Sequence, residues 1–127
     1  MSKPTQFQKW PDSLDVPYGP YRASIERVVD GDTVHVLLSL GLDEYAYRMV
    51  RIADINAPEV FSGPKEERER GKASRDFLAA FAPPGTQCRL TTKRDAASLG
   101  RYVANIELAD GRDIATVLVE AGHAVRV

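Results

Sequence analysis

The chain has 127 residues, 43% of them hydrophobic, with a formal net charge of −1. That leaves room for one hydrophobic core and excludes a second independent domain. The near-neutral balance excludes a protein that coats nucleic acid by bulk electrostatics, which needs a clustered basic surface, and no apolar run reaches the length of a membrane span. Met1–Trp10 has no hydrophobic stretch of signal-peptide type, so a cytoplasmic protein is expected, with a secreted parent whose leader was trimmed left open.

Met1–Pro20 carries Pro4, Pro11, Pro17 and Pro20 and no sustained period, so it is expected to be extended. Phe7, Trp10 and Tyr18 would lie across the domain or against a neighbouring chain, giving a monomer or a weak homo-oligomer, or the segment is a flexible tail. The folded domain is placed at 21–127. Between Tyr21 and Val29, Ala23 and Ile25 alternate with Ser24 and Glu26, which predicts a strand; Val28-Val29 breaks the alternation as a bulge would. Asp30-Gly31 supplies a hairpin turn. The strand Thr33–Leu40 then points Val34, Val36, Leu38 and Leu40 one way and Thr33, His35, Leu37 and Ser39 the other. A turn at Gly41–Glu44 leads into a long strand, Tyr45–Ile55.

That strand ends in Val50-Arg51-Ile52-Ala53-Asp54-Ile55-Asn56-Ala57-Pro58-Glu59. Val50 and Ile52 face a core while Arg51 faces away. Pro58 cannot donate to a ladder and biases Ala57 away from helix, so Asn56, the Ala57 carbonyl and Glu59 turn out at the strand end beside Arg51. Oxygen ligands for a hard cation then stand next to a guanidinium suited to phosphate. Taken alone, the same ten residues also describe an edge strand with solvated charges.

Lys65–Arg70 is a charged run, a solvated helical start or loop. Ala73, Phe77 and Phe81, with Leu78 alongside, recur at helical spacing until Pro83-Pro84-Gly85. Strands are predicted at Gln87–Thr92 and Tyr102–Leu108. Asp113 is a candidate N-cap for a short helix with Ile114, Val117, Leu118 and Ala121 on one face, closed by Gly122, and His123–Val127 can add a last strand. Three strands, a helix and two strands are the order of an OB-fold: a mainly β protein with α, a five-stranded barrel with one main helix and a second short one. Cys88, in an alternating run with Leu90, reads as a small buried apolar residue. Arg89, Lys93, Arg94 and Arg101 suggest a basic rim opposed only by Asp95.

Asp30-Gly31-Asp32-Thr33 is not an EF-hand loop, because Gly41 and Asp43 stand where its closing glutamate is needed. With its flanks Val28-Val29 and Val34, with Arg51–Glu59, Gly71–Phe81, Leu99-Gly100-Arg101-Tyr102, Ala109-Asp110-Gly111 and Ala121-Gly122, it resembles in order and spacing the successive motifs of the staphylococcal nuclease family, over about residues 21–127. The resemblance implies an OB-fold phosphodiesterase, an endonuclease using one Ca²⁺ to hydrolyse DNA and RNA, single-stranded or frayed, and to leave 3′-phosphate and 5′-hydroxyl ends. By position, Asp32, Asn56 and the Ala57 carbonyl would bind the metal, Glu59 would act through water as general base or water-orienting group, and Arg51 and Arg101 would hold the phosphate. These roles suit phosphoryl displacement, which builds negative charge on equatorial oxygens.

Three departures stand out. The family usually has Asp at the position of Asn56, and losing that anionic ligand weakens Ca²⁺ binding. Ser98 and Leu99 replace a lysine and a tyrosine of the family's best-known member, which reduces stacking and phosphate contact there. Val127 ends the sequence before that member's substrate-pocket tyrosines and C-terminal helix, so core closure would come from elsewhere, with Met1–Pro20 as a candidate. His35 and His123 lack paired ligand spacing, and Ser62, Ser74 and Ser98 lack a nucleophile-elbow setting. Tyr45, Tyr47 and Tyr102 pack on the barrel or stack on a base. The alternative function is a catalytically weak or inactive OB-type module that binds nucleic acid or protein, favoured by Asn56 and the near-neutral charge.

Overall fold

The computed structural model describes residues 17–95 and 101–127. Phe7, Trp10, Ser98 and Leu99, singled out above, lie outside the described residues. The alternating strands form a meander of β1 (Tyr18–Asp30), β2 (Thr33–Gly41) and β3 (Glu44–Ile52), paired antiparallel in chain order. A two-residue strand β4 (Ile55–Asn56) and helix α1 (Lys65–Phe81) follow. Then come β5 (Thr86–Arg94), β6 (Tyr102–Leu108), α2 (Ile114–Glu120) and β7 (Val125–Arg126). The barrel closes in the order β1-β2-β3-β6-β5, with β3 and β6 parallel. This is the five-stranded, mainly β barrel with two helices that the order of elements predicts.

Inside it, Ile25, Val34, Val36, Ile52, Leu90 and Ile106 are fully buried. Each such side chain is worth roughly 1.5–3 kcal/mol relative to exposure. Cys88 is buried among them and its thiol is pushed up to about 11 by desolvation, so it is an inert core residue as expected. Leu40, expected to face the core, is 50% exposed: the β2–β3 register shifts between Ser39 and Gly41 and breaks the alternation there. β1 slips register between Ile25 and Arg27 and again between Val28 and Asp30, placing irregularity at the expected bulge and one step before it.

Several boundaries differ from the sequence reading. The long strand predicted over Tyr45–Ile55 breaks after Ile52: Asp54 adopts φ 66°, and the chain re-enters as β4, paired antiparallel with β7. A left-handed residue cannot continue a ladder, which the apolar pattern does not encode. The Lys65–Arg70 run is helical throughout. α1 buries Gly71, Ser74 and Leu78, whereas Ala73 is exposed and Phe77 and Phe81 are half-buried. α2 is capped by Asp113, whose carboxylate accepts from the Thr116 N–H at 3.2 Å, and it buries Ile114, Ala115 and Leu118; Ala121 is exposed. In both helices alanine is a poor marker of the buried face, since a single methyl fits either side of the boundary.

β1 starts at Tyr18, which pairs with Thr92, so Tyr18–Pro20 belong to the barrel and not to a separate segment. Outside the barrel, β7 pairs with β4 in a small two-stranded sheet, the Val127 N–H donates to the Asp54 carbonyl at 3.0 Å, and Arg126 donates to Thr116 Oγ1 at 2.7 Å.

Gly71 sets how closely α1 approaches the Pro58-Glu59 backbone, because a Cβ there would lie 2.6 Å from the Glu59 carbonyl carbon and 2.8 Å from the Pro58 oxygen. In an exposed helix, Gly→Ala stabilises by roughly 0.5–1 kcal/mol. Here overpacking of about 1–3 kcal/mol opposes that gain. Gly71→Ala is therefore expected to lower the urea midpoint and to displace Glu59; an unchanged or raised midpoint would show that the approach is loose.

Candidate active site

Asp32 sits in the two-residue turn between β1 and β2, where Asp30 Oδ1 accepts the Asp32 N–H at 3.1 Å and stabilises the turn. Its own carboxylate is satisfied from two sides. Thr33 Oγ1 donates to Oδ1 at 3.1 Å, and the Ala57 N–H donates to Oδ2 at 3.0 Å. The turn is thereby joined to the segment after β4, and the Ile52 N–H donating to the Asp32 carbonyl at 2.8 Å adds a backbone tie. Gly31 permits the close approach: a Cβ there would lie 2.8 Å from Cβ of both Ala57 and Ser74.

Arg51 projects from the outward face of β3 between Val50 and Ile52, both buried. One of its terminal nitrogens, Nη2, reaches Asp32 Oδ2 at 3.4 Å and also donates to Asn56 Oδ1. Asn56 is held in place by pairing with Val125. Arg101 enters from the start of β6, its Nε donating to Asp95 Oδ2 at 2.7 Å while the Asp95 N–H donates to the Arg101 carbonyl at 3.0 Å. Glu59 is exposed just beyond Pro58, over Gly71 of α1.

All six residues singled out by the resemblance, Asp32, Arg51, Asn56, Ala57, Glu59 and Arg101, line one cleft of about 420 Å³. Of the three further lining residues, Asp30, Thr33 and Glu67, the two carboxylates are not singled out from the sequence. Asp30 reads there only as a turn residue, and Glu67 belongs to a charged run; in the structure Glu67 is half-buried and turned over Gly63. A run without apolar periodicity does not show which of its carboxylates faces inward. The basic rim is not assembled at this cleft: Arg101 lines it, whereas Arg89 lines a different groove, and Lys93 and Arg94 line neither.

The lining carboxylates Asp30, Asp32, Glu59 and Glu67 outnumber the guanidiniums of Arg51 and Arg101, so the field of the cleft favours a cation. Among the described residues no cluster of three His, Cys, Asp or Glu side chains is placed to hold a metal by itself. The donors that could do so are mixed: carboxylate, amide oxygen and peptide carbonyl. The histidines have other work. His35 stacks on Tyr47, and the buried Ser74 hydroxyl donates to the His123 carbonyl at 2.8 Å, fastening the chain after α2 to α1.

Burial, and secondarily the hydrogen-bonded neighbour Asp32, raises the Asp30 carboxyl from 3.8 to about 6. A raised carboxyl pKa means that the fold prefers the protonated form: no stability is lost below about pH 4, and the loss grows as pH rises through about 6. Because Asp30 is only half-buried, solvent screening reduces the effect to on the order of 1 kcal/mol. Asp30→Asn is expected to raise the melting temperature by a few degrees at pH 7–8 in chelator and to leave it unchanged near pH 4; equal melting of the two proteins at both values would contradict this.

Comparison with known proteins gives a consistent picture. The family model for staphylococcal nuclease homologues matches residues 49–127. The chain is 29% identical over 113 residues to the protein named Endonuclease YhcR of Bacillus subtilis (strain 168), covering 84% of this chain and 9% of that one. It is 35% identical over 104 residues to the Succinoglycan biosynthesis protein ExoI of Rhizobium meliloti (strain 1021), covering 77% of this chain and 48% of that one. The chain thus spans less than a tenth of the first relative's length and about half of the second's. With more than half of the sequence matched, and with the barrel and the cleft built from the same motifs, the chain belongs to the family of staphylococcal nuclease homologues.

Proposed function

We propose that this chain is a Ca²⁺-dependent nuclease that hydrolyses phosphodiester bonds of DNA and RNA and leaves 3′-phosphate and 5′-hydroxyl ends. The observation that carries it is the convergence of Arg51, Arg101 and Glu59 with Asp32, Asn56 and Ala57 in one cleft. The name of the Bacillus relative supports the same reading. Asp32 and the oxygens of Asn56 and Ala57 form an all-oxygen set, the donor chemistry that suits a hard cation. When bound there, Ca²⁺ would supply Lewis-acid stabilisation of charge on the phosphoryl oxygens.

The protein's own groups do the rest. Arg51 and Arg101 bind the non-bridging oxygens, Arg51 kept in position by Asp32 and Asn56, and Arg101 by Asp95. Glu59 orients a water and takes its proton as the oxygen attacks phosphorus. The new P–O bond forms as the bond to the 5′ oxygen breaks, and the departing oxygen takes a proton from solvent. Asp30 and Glu67 add negative charge at the rim, which partly offsets the neutral amide of Asn56.

One observation favours the binding-module alternative: both arginines already have partners within the protein, Asn56 and Asp32 for one and Asp95 for the other. Incubating single-stranded DNA with the protein in Ca²⁺ and in chelator separates the two, since a module binds in both conditions and cleaves in neither. Under single-turnover conditions Arg51→Ala and Arg101→Ala are each expected to slow cleavage about a hundred- to a thousandfold in variants that still fold cooperatively, and an unaltered rate in either would remove that arginine from the mechanism.

Metal affinity gives an independent measurement. Ca²⁺ affinity rises with the number of ligating carboxylates. In calorimetric titrations Asn56→Asp is expected to bind Ca²⁺ more tightly than the wild type, and Glu67→Gln more weakly. Equal or weaker binding by Asn56→Asp would show that Asn56 is only a turn residue and partner of Arg51.

A further inference from the structure

On one side β3 is paired with β2 along its length, from Glu44 opposite Gly41 to Arg51 opposite Thr33. On the other side only Val50, Arg51 and Ile52 are paired, with Tyr102, Val103 and Ala104 of β6. Residues 44–49 are therefore bonded from one side only among the described residues, and all of them except Ala46 are exposed. An open edge of this kind is a row of backbone donors and acceptors ready for another strand.

Proteins commonly blunt such an edge with lysine, proline or a bulge. Residues 44–49 contain no lysine and no proline, and their register with β2 is regular from Tyr45 onward. Alternation turns Tyr45, Tyr47 and Met49 to the outer face of the strand and Glu44, Ala46 and Arg48 to the other. The rings are open to solvent, Tyr45 63% exposed and Tyr47 51%. Glu44 and Arg48 stand at equal distances from Ala46 and carry opposite charges, yet neither is in an ion pair among the described residues. The Arg48 guanidinium instead donates to the Tyr47 carbonyl at 2.8 Å. A charge can blunt an edge as well, but here each of the two supplies what the other lacks.

Two copies of one strand that meet edge to edge about a two-fold axis run antiparallel, and residues directly opposite share a face. A slip of one residue would set each ring against the wrong face. The pairing is bounded at one end by the hairpin turn, where Leu42 and Asp43 are left-handed with φ 54° and 61°, and at the other by β6, which takes the edge at Val50. Two registers fill that window equally. One is centred on Tyr47; it sets Arg48 opposite Ala46 and leaves Glu44 without a partner. The other is centred on Ala46 and sets Glu44 opposite Arg48 of the second copy, Tyr45 opposite its Tyr47, and Ala46 opposite its Ala46. Opposite charges and aromatic pairs directly across a ladder stabilise it, so the second register is favoured.

We propose that this chain forms a two-fold dimer in which the free edge of β3 pairs with the same edge of a second copy in the register centred on Ala46. The pattern of residues 44–48 is self-complementary in charge and in shape, which is what a contact between identical surfaces requires. A contact built on one short strand is small, so the dimer dissociates on dilution. Arg51 lies on the same strand beyond Met49, and at a rise of about 3.4 Å per residue the two copies of Arg51 stand about 34 Å apart along the joined strands. The contact needs no catalysis, so it is independent of the nuclease reading.

The test is sedimentation velocity of the full chain over a series of concentrations without substrate, with melting curves to show that each variant is folded. The wild type is expected to pass from monomer to dimer as concentration rises. Glu44→Arg and Arg48→Glu each set like charges opposite one another and are each expected to weaken the dimer about ten- to a hundredfold. Mixed in equal amounts, the two variants regain both pairs of opposite charge and are expected to dimerise as the wild type does. In the wild type alone, hydrogen exchange read by mass spectrometry is expected to slow in residues 44–48 as concentration rises, and it reports even where a variant fails to fold.

A wild-type monomer at every concentration, a dimer indifferent to both reversals, or a mixture no better than its components would overturn the edge pairing. So would exchange in residues 44–48 that does not depend on concentration, because the edge would then be covered within one chain or left open in the dimer.

Discussion

The carboxylate of Asp32 is where separate parts of the chain are tied into one site. One oxygen accepts the Ala57 N–H and meets Arg51, and the other accepts the Thr33 hydroxyl. The β1–β2 turn lies 19 residues from Arg51 and 25 from Ala57 in sequence, yet these bonds fix it to both. Hydrogen bonds to a charged group are worth roughly 1.5–3 kcal/mol each, and a partly buried carboxylate left without them would bear its desolvation unaided. Asp32, Asn56 and Ala57 line one cleft, so the bonds that hold the turn also hold part of the cleft wall together.

Two close backbone approaches make this geometry possible. Gly31 lets the turn meet Ala57 and Ser74, and Gly71 lets α1 meet the Pro58-Glu59 peptide. A side chain at either position would push a donor away from the cleft. The C-terminal strand acts in the same direction, because β7 pairs with β4 and so positions Asn56 from outside the barrel. Packing and chemistry are coupled here: α1 contributes Gly71 to the approach, Ser74 to the contact with His123 and Glu67 to the lining.

Charge in the cleft is distributed differently from what a list of ligands suggests. Asn56 removes a negative charge at one position, while Asp30 and Glu67 supply negative charge at others. Both arginines are oriented by protein acceptors, which limits the freedom of their side chains.

By itself the sequence determined the barrel and most of its strands, because alternation between buried and exposed positions is a local signal and Val34, Val36, Val50 and Ile52 carry it clearly. Motif order likewise marked Asp32, Arg51, Asn56, Ala57, Glu59 and Arg101 as a group, and the cleft contains all of them. The tertiary structure alone decided where β3 stops: Asp54 is left-handed, and the chain after it pairs as β4 with the distant β7. It also decided that Ser74 and Gly71, not Ala73, face the core, that Arg101 is held by Asp95, and that Asp30 and Glu67 join the site. These are contacts between segments distant in the chain, and no local pattern of residues encodes a distance through space.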